Sequence, residues 1–177
     1  GAIAKMKCPS PAIAVYANSN KPMAIEVANN LISGPLDGYV CQSEILTGKL
    51  DAGKLANCKY LMVVGGDGTI LSAVRDLNGY QIPIIGVNVG KLGFLARFSI
   101  EELLADFGTI VEAGLEAITE HKLLRCERIS GEQVCESSVV VNEVAVVAGP
   151  PFRMLDITIY IGNEQITNCL GDGMIVS

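Results

Sequence analysis

YLMVVGGDGTILSAV, residues 60–74, passes from five apolar residues through Gly65, Gly66, Asp67, Gly68 and Thr69 into a segment where Ile70, Leu71, Val74 and Leu77 recur at helical spacing. A fully apolar run of this length predicts a strand buried on both faces, as in a parallel sheet. The glycines between strand and helix give the backbone positive-φ freedom and let a ligand come close to the main chain. The helix that follows points its unpaired N–H groups and positive dipole end at the same place, which favours phosphate. No GxxxxGK[ST] or GxGxxG pattern is present, so neither the P-loop nor the dinucleotide fingerprint applies.

Asp67 is the unexpected residue, because a carboxylate repels bound phosphate unless it has a task. It could hold a metal ion that bridges phosphates, or take a proton from an attacking hydroxyl. The plainer alternative is a tight turn in which Asp is merely a favoured residue.

The same alternation extends outward. AIAVYAN (12–18), GYVCQSE (38–44) and PIIGVN (83–88) read as strands. Ala24, Val27, Ala28, Leu31 and Ile32 form one helical face that Gly34 and Pro35 end, and TGKLDAGKLANC reads as loop. SIEELLADFGTIVEAG gives a further helix, with Ser99 and Glu102 as a capping box, Ile100, Leu103, Leu104, Phe107 and Val111 as its stripe, and Gly114 as its C-cap. Strands alternating with helices imply βαβ units, and therefore a Rossmann-like α/β domain over residues 1–117. From 118 the texture changes to HKLLRCERI, VCESSVVVNEVAVV and LDITIYI, joined by short turn-rich pieces. A second, all-β domain is expected over 118–177, only partly present.

NVGKLGFLA (88–96) also follows a buried strand. Gly90 and Gly93 again suggest close approach, and Phe94 either offers a flat face to a base or sits in the core. Asn142 and Glu143 interrupt VVVNEVAVV; a ligand would satisfy such a polar pair, and a bulge or strand end is the alternative. A second GDG stands at 171–173.

Composition bounds the partners. Half of the 177 residues are hydrophobic, 18% are charged and the formal net charge is −6, which fits a packed globular protein and disfavours nucleic acid or an anionic membrane as partner. The six cysteines contain no CxxC pair and His121 is the single histidine, so a zinc site is not expected. Disulfides are possible on count, but cysteines scattered singly among apolar strands read better as reduced core residues. No apolar run reaches the ~20 residues of a membrane span, and the N-terminal segment lacks the h-region of a secretory signal. A cytoplasmic protein is the expectation. The opening Gly1 and the apolar close at Ser177 suggest an excised piece of a longer chain.

Taken together, GGDGT (65–69), NVGKLGF (88–94), Asn142–Glu143, Arg153 and GDGMIVS (171–177) resemble the NAD kinase family, in order and at comparable spacing. GGDGT alone is shared with diacylglycerol kinases, sphingosine kinases and phosphofructokinases; the combination is more specific. The resemblance implies transfer of a phosphoryl group from ATP, or polyphosphate, to the 2′-hydroxyl of the adenosine ribose of NAD, giving NADP. A divalent magnesium ion would arrive on the ATP phosphates. Residues Gly65, Gly66, Gly68 and Thr69 would handle phosphate, and Asp67 would be the proton acceptor. Asp67, Gly68, Phe94, Asn142, Glu143, Arg153 and Asp172 would contact NAD, in a site between the two domains of a homo-oligomer. Leu170 departs from the pattern, standing where family members often carry a basic residue. The resemblance also implies a loop beyond Ser177 that closes over the dinucleotide, so residues 1–177 would hold part of the site and show little activity. A lipid kinase of the same superfamily and a non-catalytic nucleotide-binding module are the competing expectations.

Overall fold

The computed structural model describes residues 12–91 and 93–177, which divide into two compact units between His121 and Lys122. The readings placed on residues 1–11, Cys8 among them, lie outside the described residues.

In the first unit, β1 (Ile13–Ala17), β2 (Tyr60–Gly65) and β3 (Ile84–Asn88) form a parallel sheet with β2 in the centre. Alternate residues of a strand face opposite sides, and the core divides accordingly. Ile13, Val15, Ala17, Met62, Val64 and Val87 pack against α1 (Pro22–Ser33) and α3 (Ile100–Glu112). Ala14, Tyr16, Leu61 and Val63 pack against α2 (Asp67–Leu77) and against Leu50 and Leu55. A sheet covered on both faces explains why its strands are apolar without alternation.

The helices follow the expected stripes with local exceptions. Ala24, Ala28 and Leu31 are the buried residues of α1, and the capping box at Ser99 and Glu102 is formed at α3. Leu71 and Leu104 turn outward, whereas Ala73 is buried on α2. Gly114 takes a left-handed φ of 58° one residue past the Ala113 cap of α3.

Residues 38–44 are not a strand. The segment meets the outer edge of β1 through one isolated parallel bridge, Ile13 with Val40, and the chain just after it makes a second, Tyr16 with Leu46. Gly38 bends the chain at φ 81°, and Gln42, Ser43 and Glu44 offer no apolar face to bury. On the opposite edge, Phe98 bridges to Val87 in the same manner.

The second unit consists of antiparallel ladders. β4 (Leu124–Ser130) pairs with β5 (Gln133–Val140), β6 (Val144–Val147) with β9 (Gly173–Val176), and β7 (Leu155–Ile161) with β8 (Glu164–Gly171). Gly131 and Gly162 make the hairpin turns at φ 62° and 60°. The run VVVNEVAVV is two strands, broken at 141–143. The expectation of core cysteines is corrected: Cys41, Cys58 and Cys126 are half-buried, with Cys58 packed against the edge of the core, and Cys135 and Cys169 are exposed. Cys126, Cys135 and Cys169 lie on β4, β5 and β8, strands that are exposed along most of their length.

Candidate functional site

Parallel strands put all their carboxyl ends at one edge of the sheet, which is where open α/β sheets bind ligands. Gly65, the last residue of β2, is in register with Asn88, the last residue of β3, so the two glycine motifs begin side by side. The Val89 N–H donates to the Gly65 carbonyl at 3.0 Å. The buried Asn88 donates its side-chain N–H to the Lys91 carbonyl and closes the turn after β3.

The glycines of GGDGT serve two different needs. A Cβ on Gly65 would lie 2.4 Å from Thr69 Oγ1, so this glycine is required by the interior. Thr69 is 1% exposed, and its hydroxyl rests against Gly65 without a hydrogen-bond partner. The Thr69 side chain therefore faces the core, not the surface where phosphate would lie. Gly66 and Gly68 differ: a Cβ on either would meet nothing within 4 Å. Gly66 has extended backbone, φ −125° and ψ −172°, that any residue adopts. Among the described residues nothing demands a glycine at these two positions.

Asp67 is the first residue of α2. Its Oδ2 accepts from the Phe94 N–H at 2.9 Å, and its Oδ1 accepts from the Leu95 and Ala96 N–H groups at 3.0 Å each. The Ala96 amide bond is the largest influence and lowers the carboxyl pKa; partial desolvation opposes it, and the Phe94 and Leu95 bonds lower it further. Asp67 thus stays charged below the ordinary carboxylate range. Gly93 makes room for it, since a Cβ there would sit 2.2 Å from Oδ1. The close approach expected at Gly93 is that of this carboxylate. Phe94 is 91% exposed, which excludes the core placement. Sequence reading did not single out Asn88 as an organiser of the site, and a polar residue closing an apolar strand was the available signal for it.

The remaining predicted residues belong to the second unit, and all are exposed. Asn142 and Glu143 lie between β5 and β6, at the ends of these strands and outside both. Asp172 lies between β8 and β9, and its carbonyl accepts from the Ala148 N–H at 2.9 Å. Because Val144 pairs with Val176 and Val147 with Gly173, the Asn142–Glu143 pair and Asp172 stand at opposite ends of one ladder. At ~3.4 Å per residue that separation is on the order of 15 Å. Arg153 precedes β7 and shares an end of the β7–β8 ladder with Asp172, Leu155 pairing with Gly171. Leu170 is exposed on β8.

Residues 15–115 match the family model of the ATP-NAD kinase N-terminal domain. A curated NAD kinase of Rhodopirellula baltica is 38% identical over 117 residues, which is 66% of this chain and 37% of that relative. Among solved structures, the fold is shared with an NAD kinase from Archaeoglobus fulgidus in complex with ATP, at 23% identity and TM-score 0.58, covering 92% of this chain and 59% of that one. It is also shared with yeast NADH kinase complexed with NADH, at 19% identity and TM-score 0.71, covering 94% and 57%. The chain therefore spans well under two thirds of the length of these proteins. With the family model matched from the first strand to the end of the third helix, and with the two glycine motifs meeting at the strand ends, this chain belongs to the NAD kinase family.

Proposed function

We propose that the chain binds ATP at the GGDGT turn and transfers its γ-phosphoryl group to the 2′-hydroxyl of the adenosine ribose of NAD. The observation that carries this is the open space beside Gly66 and Gly68 at the first turn of α2, with the Asp67 carboxylate held between them. Two glycines that the protein's own packing does not require leave the backbone bare to a ligand, and the helix start supplies N–H donors and positive potential for phosphate.

In the reaction, the ribose 2′-oxygen forms a bond to the γ-phosphorus while the bond from that phosphorus to the β–γ bridging oxygen breaks, and ADP leaves. The hydroxyl proton passes to Asp67 and then to water. Oδ2 accepts a single N–H, so a lone pair remains for that hydroxyl. A depressed pKa suits a loose transition state, in which orienting the hydroxyl matters more than removing its proton early.

Magnesium fits as an ion carried by the substrate. Such ions keep most of their ligands from phosphate and water, and among the described residues no group of three or more His, Cys, Asp or Glu side chains is placed to cage a metal. Bound there, it would neutralise charge on the phosphates. On the dinucleotide side, the exposed Phe94 ring offers a face for a base, and Asn142, Glu143, Arg153 and Asp172 offer polar contacts on exposed strand ends. The same reading places the protein in the cytoplasm, where ATP and NAD are both at hand, as a homo-oligomer. The described residues contain no helix long and apolar enough to cross a membrane.

The test is calorimetry with ATP and with NAD, beside an assay for NADP, run on the full-length protein that contains these residues, using an NADP-specific dehydrogenase. Binding of both nucleotides and formation of NADP are expected. Phosphorylation of diacylglycerol or sphingosine in place of NAD would overturn the acceptor, and binding without any transfer would reduce the chain to a nucleotide-binding module.

A further inference from the structure

We propose that Asp67 has a second duty that needs no nucleotide: its carboxylate clamps the turn at residues 93–96, so that the two glycine motifs form one preassembled unit in the free protein. The inference deepens the proposed function, because it concerns the residue assigned to the acceptor hydroxyl. Its geometry stands apart from that assignment.

Three consecutive backbone N–H groups, of Phe94, Leu95 and Ala96, converge on one carboxylate that lies 27 to 29 residues earlier in the chain. Successive amides turned toward one point make a concavity for an anion, and here the chain fills it with its own. Gly93 completes the fit, since any side chain there would collide with the carboxylate, whose Cγ lies 2.6 Å from the position of a Cβ. The backbone that carries the carboxylate is fixed by the start of α2, where the Thr69 and Ile70 N–H groups both donate to the Gly66 carbonyl.

Other contacts fix the flanks of this turn. Ala96 is fully buried, and Phe98 exchanges two backbone bonds with the strand edge, donating to Gly86 and accepting from Asn88. Leu95 packs partly against the core. Phe94, by contrast, gains nothing from packing, because its ring is almost wholly in solvent. Its backbone position is set by the bond to Asp67. Asp67 is therefore a positioning residue for Phe94 as well as the candidate acceptor for the substrate hydroxyl. The first duty requires two acceptor oxygens. An asparagine would turn one amino group toward an N–H donor, so the conservative replacement removes the clamp too.

The experiment is amide exchange and proton NMR of the nucleotide-free chain, as wild type and as Asp67→Asn and Gly93→Ala. In the wild type, the Phe94, Leu95 and Ala96 amides should exchange slowly as a group. In Asp67→Asn they should exchange roughly tenfold faster or more, the scale of losing a charge-assisted hydrogen bond, while amides of β2 and β3 keep their protection. Gly93→Ala should reproduce this effect with Asp67 intact.

The three amide protons should also shift together on acidification, with one midpoint below the ordinary carboxylate range. The sign for stability follows. A carboxyl pKa lowered by folding stabilises above the unfolded value and loses that contribution as pH falls through the folded value. The melting difference between wild type and Asp67→Asn should be full above pH ~4 and close below it. Amides at 94–96 that exchange equally fast in wild type and variant over an intact sheet would overturn the clamp. So would three amides that titrate independently, a result obtainable from wild type alone if the variants do not fold. None of these measurements contains ATP or NAD. Failure to form NADP would therefore leave the clamp standing, and failure of the clamp would leave the kinase assay to decide the function.

Discussion

Gly68, the second residue of α2, is a poor helix former in a place where the protein leaves room for a side chain. Alanine there should be neutral or stabilising for the fold, by up to ~1 kcal/mol on helix propensity. If a nucleotide occupies that space, the same methyl group should cost at least about tenfold in ATP affinity. Thermal melting and ATP titration of Gly68→Ala check the two halves separately, and unchanged affinity would remove Gly68 from the site. Gly65→Ala should behave in the opposite way. Its methyl would meet the buried Thr69 at 2.4 Å, so the variant should lose about 1–3 kcal/mol of stability from overpacking. The sequence displayed all these glycines but not their division of labour. Whether a missing Cβ serves a ligand or a neighbour depends on a tertiary contact, and the contact at Gly93 comes from Asp67, 26 residues away.

Elements were legible where their signals are local. The Ser99–Glu102 box could be read because a cap closes within four residues, and it forms with the Glu102 N–H donating to Ser99 Oγ at 3.1 Å. Ser99→Ala should cost about 1 kcal/mol in chemical denaturation. A loss below about 0.3 kcal/mol would mean that packing by Leu103 and Val111 holds α3 without help from its cap. GYVCQSE failed as a strand for the converse reason. Its apolar residues are drawn to partners outside any ladder: Val40 packs partly buried against the core, and Tyr39 meets Phe107 of α3 edge-on with ring centroids 5.3 Å apart. That aromatic contact, together with the bend at Gly38, leaves the segment one bridge to β1. The break at Asn142–Glu143 shows the same limit, since six valines and one alanine surround a polar pair whose role as a strand end only the register reveals.

At the scale of the whole molecule, the change from strand–helix alternation to strand–turn repetition was legible, because the period of the apolar residues changes with it. The two units also differ in how they hold together. The first has a sheet covered on both faces, with Ile13, Leu61, Met62, Val64 and Val87 essentially removed from water. In the second, Val139 is the buried hydrophobic residue among those described, while Val147, Phe152, Ile161, Leu170 and Ile175 are more than 60% exposed. Its one ion pair among the described residues, Arg128 with Glu136 at 3.4 Å, is exposed on both sides, and such pairs contribute little. Backbone ladders with little apolar burial open at low free energy. Amides of β1, β2 and β3 should thus be the slowest to exchange, and those of β4 to β9 should exchange faster under the same conditions. Hydrogen–deuterium exchange with peptide-level mass spectrometry resolves the two sets. Equal protection would show that the second unit draws stability from a source other than the burial within its own ladders, and size-exclusion chromatography with light scattering at several concentrations would then test whether a second copy supplies it.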